Sequence, residues 1–316
     1  MGKFYVADIK ERDLVEAPFL VADKVLVTAK TGTRYIKVRL RDRTGEIEGR
    51  IWEEVEERDS LFERGDFVMV KAEAVQYQGR LQLNVLELRV CSEEEIAIED
   101  FIPPPRRDPR EMLQELKELA SEIGDPYLRR LVMAFLRDED FLEDFLRAPA
   151  SKALHHARLG GLLEHTLSVA KLVEKLRGHY EGVDWDLLMA GAILHDVGKV
   201  RELKGGPAFE YTSKGRLLGH IVLGVEMVSK KIEAIEGFPE ERAMLLKHLI
   251  ISHHGRHEWG SPKRPKTVEA ELLHHLDDLD AKVEGILEWI GKGQGRWTEF
   301  HRGFERAFWR GDEPEG

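Results

Sequence analysis

The stretch from Leu187 to Lys199, LLMAGAILHDVGK, decides the fold of the second half of this chain. Its first eight residues are apolar or small, so a helix over them has no polar face and must be surrounded by protein. Gly198 then supplies a natural stop for that helix. The pattern therefore predicts that a buried helix delivers His195 and Asp196 into the interior of a domain.

A buried His–Asp pair needs a partner, because an unpaired charge removed from water costs several kcal/mol. A satisfied core pair and a metal site both meet that requirement. The two oxygens of Asp196 can bridge two cations, and neutral imidazole suits Mn, Fe, Co or Zn. The histidine distribution favours the metal site, since all 13 histidines lie beyond residue 154 and several fall at predicted helix ends.

The order of these histidines and aspartates resembles that of a known family, the HD-domain metal phosphohydrolases, with its H…HD…D pattern. The residues that carry it are His165 in GLLEHTLSV, His195 and Asp196 in HDVGK, and Asp277 in LDDLDAK. The additional histidines of the binuclear members are matched by His220 in LLGHIVLG and His253–His254 in ISHHG.

The resemblance implies two divalent metal ions with Asp196 as their bridge. One ion would be completed by His165, His195 and Asp277, and the other by His220 and His253, with His254 as a further candidate. Two such ions lower the pKa of water between them, so that hydroxide forms near neutral pH and attacks phosphorus in line. Lys199 would neutralise phosphate oxygens, and whichever of His253 and His254 is not a ligand would protonate the leaving oxygen.

Composition excludes several classes of protein. No run of 18 apolar residues exists and the N-terminus lacks the apolar segment of a signal peptide, which predicts a cytoplasmic protein without a membrane partner. The single cysteine, Cys91, excludes an intramolecular disulfide and a cysteine-ligated zinc ribbon. The formal charge of -11 argues against nonspecific coating of nucleic acid. Charged residues make up 34% of the chain, which suggests a thermophilic source.

The N-terminal part predicts five strands with a short helix between the third and the fourth. The strands are expected over 19–28, 35–41, 46–52, 67–77 and 80–90, and the helix over 53–63. This succession resembles the OB-fold, a small closed barrel that binds oligonucleotides. The stretch VRLRDRTGEIEGRIW resembles the second and third strands of members that bind nucleic acid. An ordinary solvated barrel face is the alternative. We predict a platform for single strands made of Tyr35, Lys37, Arg39, Arg50 and Trp52.

The predicted fold is therefore multidomain, β plus all-α, with a five-stranded OB-fold barrel followed by an all-helical HD domain. We predict an OB-fold nucleic-acid-binding domain over residues 1–92, a Pro-rich linker over 93–108, a helical bracing segment over 109–154, and an HD phosphohydrolase domain with a C-terminal helical tail over 155–316. His155 and His156 fall outside the ligand pattern and are expected to be structural or close to substrate.

Two features near the end of the chain bear on the predicted cleft. The loop from Gly260 to Lys266 is basic and rigid, and we expect Lys263 and Arg264 to contact a phosphate backbone at the mouth of the cleft. On the following helix Asp280 shares a face with Asp277, and we expect it to orient a neighbouring ligand.

An OB domain joined to a binuclear HD domain resembles the YhaM family of 3′ to 5′ exoribonucleases. This resemblance implies a manganese-preferring enzyme, with Co²⁺, Fe²⁺ or Mg²⁺ as alternative metals, that hydrolyses single-stranded RNA and plausibly single-stranded DNA. Two alternatives stay open at this point: a phosphodiesterase of a small or cyclic dinucleotide with a regulatory OB domain, and a non-enzymatic single-strand-binding factor. The sequence also leaves a homo-oligomer open.

Overall fold

The structure, a computed structural model, describes residues 4–29, 32–97, 100–101, 105–150, 158–204, 210–291 and 295–311. His155 and His156 lie outside this part of the chain. The described residues form two compact units, one before residue 102 and one from Pro105 onward. The finer domain boundaries stay predictions. None of the helices in the described ranges combines the length and the apolar character needed to cross a bilayer.

The first unit is a closed five-stranded barrel in which the strands follow the order β1, β2, β3, β5, β4. Its elements are β1 (Leu14–Thr28), β2 (Arg34–Asp42), β3 (Gly45–Ile51), α1 (Val55–Leu61), β4 (Phe67–Tyr77) and β5 (Arg80–Val90). All neighbouring pairs are antiparallel except β3 and β5, which run parallel. The predicted OB-fold barrel is confirmed.

Strict alternation of side chains builds this barrel. Along β2, Ile36, Val38 and Leu40 are fully buried, whereas the residues between them face outward. Gln78 and Gly79, both at positive φ, form the predicted hairpin turn between β4 and β5. The largest differences from the predicted bounds are at β1, which begins five residues earlier, where it pairs with β4, and at α1, which is two residues shorter at each end.

The second unit is helical. Its elements are α2 (Pro109–Ser121), α3 (Pro126–Leu136), α4 (Glu139–Phe145), α5 (Gly161–Leu176), α6 (Trp185–Leu194), α7 (Lys199–Glu202), β6 (Leu203–Lys204), β7 (Glu210–Tyr211), α8 (Ser213–Glu233), α9 (Glu240–Ser252) and α10 (Val268–Ile290). Side-chain oxygens of Asp108, Asp125, Asp138, Asp184, Thr212 and Thr267 cap the N-termini of six of these helices.

Helix α6 lies at the centre of this unit, as its unbroken apolar pattern predicts. Every residue from Leu187 to Leu194 is buried, and α3, α5, α9 and α10 surround the helix. Burial of a leucine or isoleucine side chain contributes about 1.5–3 kcal/mol. This packing fixes the end of α6, and with it the position of His195.

Three features differ from the predicted all-helical pattern. A short antiparallel ribbon pairs β6 with β7. Within α8, Gly219 has φ 72° and ψ 161°, which interrupts the helix directly before His220. The predicted helical tail is wrong for residues 295–311, which instead form isolated bridges between Trp297 and Trp309 and between His301 and Arg306.

Candidate metal centre

Asp196, at the end of α6, divides its two carboxylate oxygens between two groups of histidines. Oδ2 lies 3.4 Å from Nε2 of His195 and 3.7 Å from Nε2 of His165. Oδ1 lies 3.5 Å from Nε2 of His220 and 3.6 Å from Nε2 of His253. Asp196 and His195 are buried, so this arrangement is sealed from bulk water on the α6 side.

The donor atoms around Asp196 form two clusters, each with all its atoms within 4.8 Å of one another. The first cluster consists of His165, His195 and Asp277, and the second of His220, His253 and His254. These are the two groups that the resemblance implied from the sequence. The clusters are consistent with a binuclear metal site, and the assignment of each residue as a ligand stays a prediction.

Backbone carbonyls orient three of the five imidazoles. Nδ1 of His195 lies 2.9 Å from the carbonyl oxygen of Ala192, that of His253 lies 2.7 Å from Ile250, and that of His254 lies 2.8 Å from Trp259. A carbonyl oxygen can only accept, so Nδ1 carries the proton and Nε2 keeps its lone pair. All three rings therefore present a metal-binding nitrogen to the centre.

Carboxylates orient the other two imidazoles. Asp280 Oδ2 lies 2.7 Å from Nδ1 of His165, and the hydroxyl of Ser168 donates to the other oxygen of Asp280. Glu202 Oε1 lies 3.2 Å from Nδ1 of His220 and accepts the backbone N–H of His220 at 2.9 Å. The predicted orienting role of Asp280 agrees with this contact. Sequence reasoning missed Glu202, although it stands six residues after Asp196 at the end of α7.

The buried acceptors at the centre show that the residues fit a cation. Within the described residues, Asp196 Oδ1, His220 Nε2 and His253 Nε2 are buried without a hydrogen-bond partner. A carboxylate oxygen and two imidazole lone pairs that face each other at 3.5–3.6 Å cannot satisfy one another. A divalent ion between them would satisfy all three.

The protonation of the histidines differs between the two clusters. Burial opposes a charge on His165, but Asp277 and Asp280 outweigh it and raise the pKa of this ring to about 10. Metal binding at Nε2 of His165 therefore displaces a proton. Burial and the neighbouring imidazoles lower the pKa of His253 well below its usual range and also lower that of His254. Both rings are neutral at pH 7, the form that binds metal.

Lys199 lies closer to Asp196 than the sequence alone indicates. Its Nζ is 2.6 Å from Asp196 Oδ2, and the side chain is 14% exposed. Burial lowers the pKa of Lys199, but the carboxylate of Asp196 outweighs burial and raises it, so the ammonium stays charged. Its predicted contact with phosphate oxygens stays a prediction.

A cleft of about 490 Å³ opens over the two clusters. The residues that line it include Asp196, Lys199, His220, His254 and Asp277. Two exposed aromatic side chains, Tyr211 and Trp259, also line it. The donor atoms are therefore open to a substrate from one side.

The basic loop 260–266 begins directly after Trp259, which lines the metal cleft. Lys263 lines a second groove, of about 660 Å³, together with Lys266 of the same loop and with Met244 and Lys247 of α9. Arg264 is exposed. The described residues that line the metal cleft include none of this loop, and its expected place at the mouth of the cleft stays a prediction. The contact of Lys263 and Arg264 with nucleic acid stays a prediction.

The predicted platform on the barrel carries stacked aromatic rings. The rings of Tyr35 and Trp52 lie 4.4 Å apart with an angle of 25° between their planes, and Trp52 is 40% exposed. The Arg50 guanidinium lies 4.8 Å from the ring centre of Tyr77, an exposed residue that sequence reasoning missed. It sits at the end of β4, directly before the Gln78–Gly79 turn.

The cations of this platform are paired with carboxylates. Glu48 Oε2 lies 2.5 Å from Lys37, and its Oε1 lies 3.0 Å from Arg50. Arg39 lies 3.0 Å from Asp23. The surface is therefore aromatic with nearly balanced charge, and it is less basic than the sequence pattern indicates.

Comparison with known proteins agrees with both units. Residues 162–282 match the HD domain family, and residues 20–91 match the OB-fold nucleic acid binding domain family. The chain thus joins an OB-fold nucleic-acid-binding domain to an HD domain that carries the donor set of a metal-dependent phosphohydrolase.

Among solved structures, similarity is limited. The second OB-fold domain of replication protein A from Methanococcus maripaludis is 20% identical over 29% of this chain and 97% of that one, with a TM-score of 0.25. A mitochondrial single-stranded DNA binding protein from S. cerevisiae is 16% identical over 25% of this chain and 96% of that one, with a TM-score of 0.21. Asparaginyl-tRNA synthetase from Entamoeba histolytica is 22% identical, and the match covers 42% of this chain but 35% of the synthetase, with a TM-score of 0.25.

Proposed function

We propose that this protein is a metal-dependent 3′ to 5′ exoribonuclease that hydrolyses the phosphodiester bonds of single-stranded RNA, with single-stranded DNA as a second substrate. The observation that carries the hydrolytic part is the division of the Asp196 oxygens between two donor clusters, His165–His195–Asp277 and His220–His253–His254. This donor set suits two Mn²⁺ ions, with Co²⁺, Fe²⁺ or Mg²⁺ as alternatives.

Two divalent ions held here would supply a hydroxide nucleophile near neutral pH and stabilise charge on the reacting phosphate. The side chains of the protein position the reacting groups and set their protonation states. Lys199 keeps Asp196 ionised, because the ammonium next to it holds the pKa of that carboxyl well below its usual range even though burial raises it. Lys199 also lines the cleft, where its ammonium would neutralise a phosphate oxygen.

Of the two adjacent histidines, only His254 lines the cleft, whereas His253 is buried. We therefore assign His254 to proton transfer toward the leaving oxygen, which leaves Asp196, His220 and His253 as the donors to the second ion. Burial and His220 lower its pKa, so it is a weak base without substrate. The negative charge of a bound phosphodiester would raise the pKa of His254 again, so that the ring is protonated when substrate is bound.

The single-strand specificity rests on the barrel. Tyr35, Trp52 and Tyr77 offer ring faces around Arg50, and stacking on such rings accepts any base but requires that the base be unpaired. A face of this kind suits an RNA strand better than it suits a small nucleotide. The complete donor set likewise argues against a non-enzymatic binding factor, which has no need for it.

Incubation of the protein with a 5′-labelled single-stranded RNA and Mn²⁺, followed by gel electrophoresis, tests this function. A ladder that shortens progressively from the 3′ end is expected, and Asp196→Ala should abolish it while the protein keeps its helical circular dichroism. A parallel incubation with a cyclic dinucleotide tests the alternative. If the cyclic dinucleotide is cleaved and the RNA stays intact, the protein is a small-nucleotide phosphodiesterase.

A further inference from the structure

We infer that Trp259 forms a nucleobase-stacking subsite inside the metal cleft, separate from the aromatic platform on the barrel. The inference rests on the proposed function in one respect, that the cleft receives a nucleotide phosphodiester. It adds a recognition element for the base next to the phosphate at the metal centre. Neither the HDVGK region nor the ligand pattern indicates this residue, because it lies in the loop after α9.

Trp259 is tied by its backbone to the metal centre. Its carbonyl oxygen accepts Nδ1–H of His254 at 2.8 Å, and its own N–H donates to the carbonyl of Arg256 at 3.1 Å. Both bonds fix the short 3-10 turn from His257 to Trp259 next to the second donor cluster. The indole therefore has a defined place relative to His254.

The indole of Trp259 keeps free surface although three side chains approach it. The Arg256 guanidinium lies 4.8 Å from the ring centre, the Lys282 ammonium 5.8 Å and the His274 ring 5.9 Å. The residue is nevertheless 44% exposed and lines the cleft. An aromatic ring with cations beside it and open area facing a cavity is the arrangement that stacks on a base while the cations offset the phosphate charge.

A second aromatic residue lines the same cleft. Tyr211 is 40% exposed and is held by the ribbon in which β7 pairs it with Leu203. Two aromatic side chains in the cleft that also holds the donor atoms suit a ligand with one flat apolar part and one anionic part. A nucleoside monophosphate unit has that composition, whereas an unsubstituted phosphate ester of a sugar lacks the flat part.

Stacking depends on the π-face that all bases share, so the subsite should tolerate every base and prefer any base over none. The probes are therefore adenosine 5′-monophosphate and ribose 5-phosphate, which carry the same phosphate and differ by the base. Isothermal titration calorimetry of the full-length protein with Mn²⁺ present measures both. We expect the wild type to bind adenosine 5′-monophosphate more tightly than ribose 5-phosphate. Trp259→Ala should lower the affinity for adenosine 5′-monophosphate about 5- to 150-fold and leave the affinity for ribose 5-phosphate unchanged.

Two further variants make the result specific. Trp259→Phe should retain most of the preference for the base, since it keeps a ring. Trp297→Ala is the matched control, because Trp297 is 59% exposed and packs against Trp309 rather than lining the cleft. Elemental analysis must show unchanged Mn²⁺ content in Trp259→Phe, because the Trp259 backbone supports His254. Equal weakening of both ligands in Trp259→Ala, or equal affinity of the wild type for both, would overturn the subsite.

The same variants separate the subsite from the exonuclease. If the wild type degrades RNA but binds adenosine 5′-monophosphate and ribose 5-phosphate equally well, the subsite is refuted and the proposed function stands. Intact RNA together with Trp259-dependent binding of adenosine 5′-monophosphate would keep the subsite and assign it to a small-nucleotide substrate.

Discussion

Glu202 holds His220 by two contacts at once: its Oε1 accepts the His220 backbone N–H at 2.9 Å and lies 3.2 Å from the ring Nδ1. The backbone contact is available because Gly219, at φ 72°, breaks α8 and frees the N–H of the next residue. In the first cluster, Asp280 Oδ2 lies 2.7 Å from Nδ1 of His165. Each cluster thus has its own carboxylate outside the ligand set.

This division predicts that the two clusters can be weakened separately. Glu202→Ala should reduce the affinity of the second cluster for Mn²⁺ about 10- to 100-fold, and Asp280→Ala should do the same to the first, because each loses the group that orients its histidine. Titration calorimetry with Mn²⁺ should resolve one weakened and one intact step in each variant. Glu271→Ala is the control, since that carboxylate is exposed on α10 and pairs with His275. Identical binding curves for Glu202→Ala and Asp280→Ala would contradict the assignment of one carboxylate to each cluster.

The second prediction concerns Gly198, where α7 begins against α8. A Cβ at this position would lie 2.0 Å from the carbonyl oxygen of His220 and 2.5 Å from the backbone nitrogen of Gly224. Both contacts are with backbone, so α8 must move. Gly198→Ala should lower the free energy of unfolding by about 1–3 kcal/mol, the usual effect of overpacking, and weaken the cluster that contains His220.

Chemical denaturation and Mn²⁺ titration test this variant together. Gly291→Ala, at the C-terminus of α10, is the matched control because a Cβ there would meet nothing closer than 3.5 Å. Unchanged stability and metal binding in Gly198→Ala would mean that the approach of α7 to α8 is not needed at the centre.

The sequence predicts the ligand-bearing elements well because burial and chemistry coincide there. The apolar run before His195 forces α6 into the core, where all eight of its apolar or small residues are buried. Glu202 and Gly219 could not be predicted in the same way. The role of Glu202 depends on the packing of α7 against α8, and the apolar pattern of α8 continues across Gly219 as if the helix were unbroken.

The charge of the barrel face illustrates a second limit. Alternation correctly places Lys37 and Arg39 outward on β2. It does not report that β3 brings Glu48 opposite Arg39 and next to Lys37, since that depends on the register between the two strands. The tail is a third case: its aromatic spacing suits an amphipathic helix, but Trp297 pairs with Trp309 across a turn instead.

The barrel face yields the third prediction. Trp52→Ala should weaken binding of a single-stranded RNA by about 1–3 kcal/mol, because one stacking surface is lost, while hydrolysis of a small phosphodiester ester is unchanged. Val90→Ala is the control, since Val90 is 43% exposed at the end of β5, where it pairs with Val68 of β4, and Trp52 is 40% exposed. Fluorescence anisotropy of labelled RNA measures the affinity.

Glu48→Gln tests the charge of the same face. It should strengthen RNA binding and steepen the salt dependence of that binding, because it releases Lys37 and Arg50 from their common partner.

The fourth prediction concerns pH and an ion-pair group that joins α2 to α5, the helix that carries His165. Glu115 receives hydrogen bonds from Arg107 and Lys171, and these cations lower the pKa of its carboxyl to about 2. A carboxyl whose pKa is lower in the folded state than in the unfolded state stabilises the folded protein at pH values above its unfolded pKa of 4.5. This contribution disappears as the pH falls toward 2. Solvent screening limits it to about 1 kcal/mol or less.

Thermal unfolding of the wild type and Glu115→Gln at several pH values isolates this contribution. The variant should be less stable at pH 7, and the difference should shrink below pH 4.5 and vanish near pH 2. A difference that persists at low pH would show that the charge of Glu115 is not responsible.

The last prediction concerns strand state and direction, which distinguish an exonuclease from a general phosphodiesterase. The cleft encloses about 490 Å³ between helices, enough for a terminal nucleotide but not for the two strands of a duplex. The aromatic face around Trp52 likewise needs unpaired bases. Digestion of a hairpin with a 3′ single-stranded extension should therefore remove the extension, stall at the stem and leave the 5′ label on the remaining fragment. A circular RNA of the same sequence should resist, because it offers no end to the cleft. Cleavage of the circle as fast as the linear strand would refute the exonuclease and favour a phosphodiesterase that accepts internal bonds. Asp196→Ala is the control, since loss of cleavage in this variant shows that the activity belongs to this metal centre.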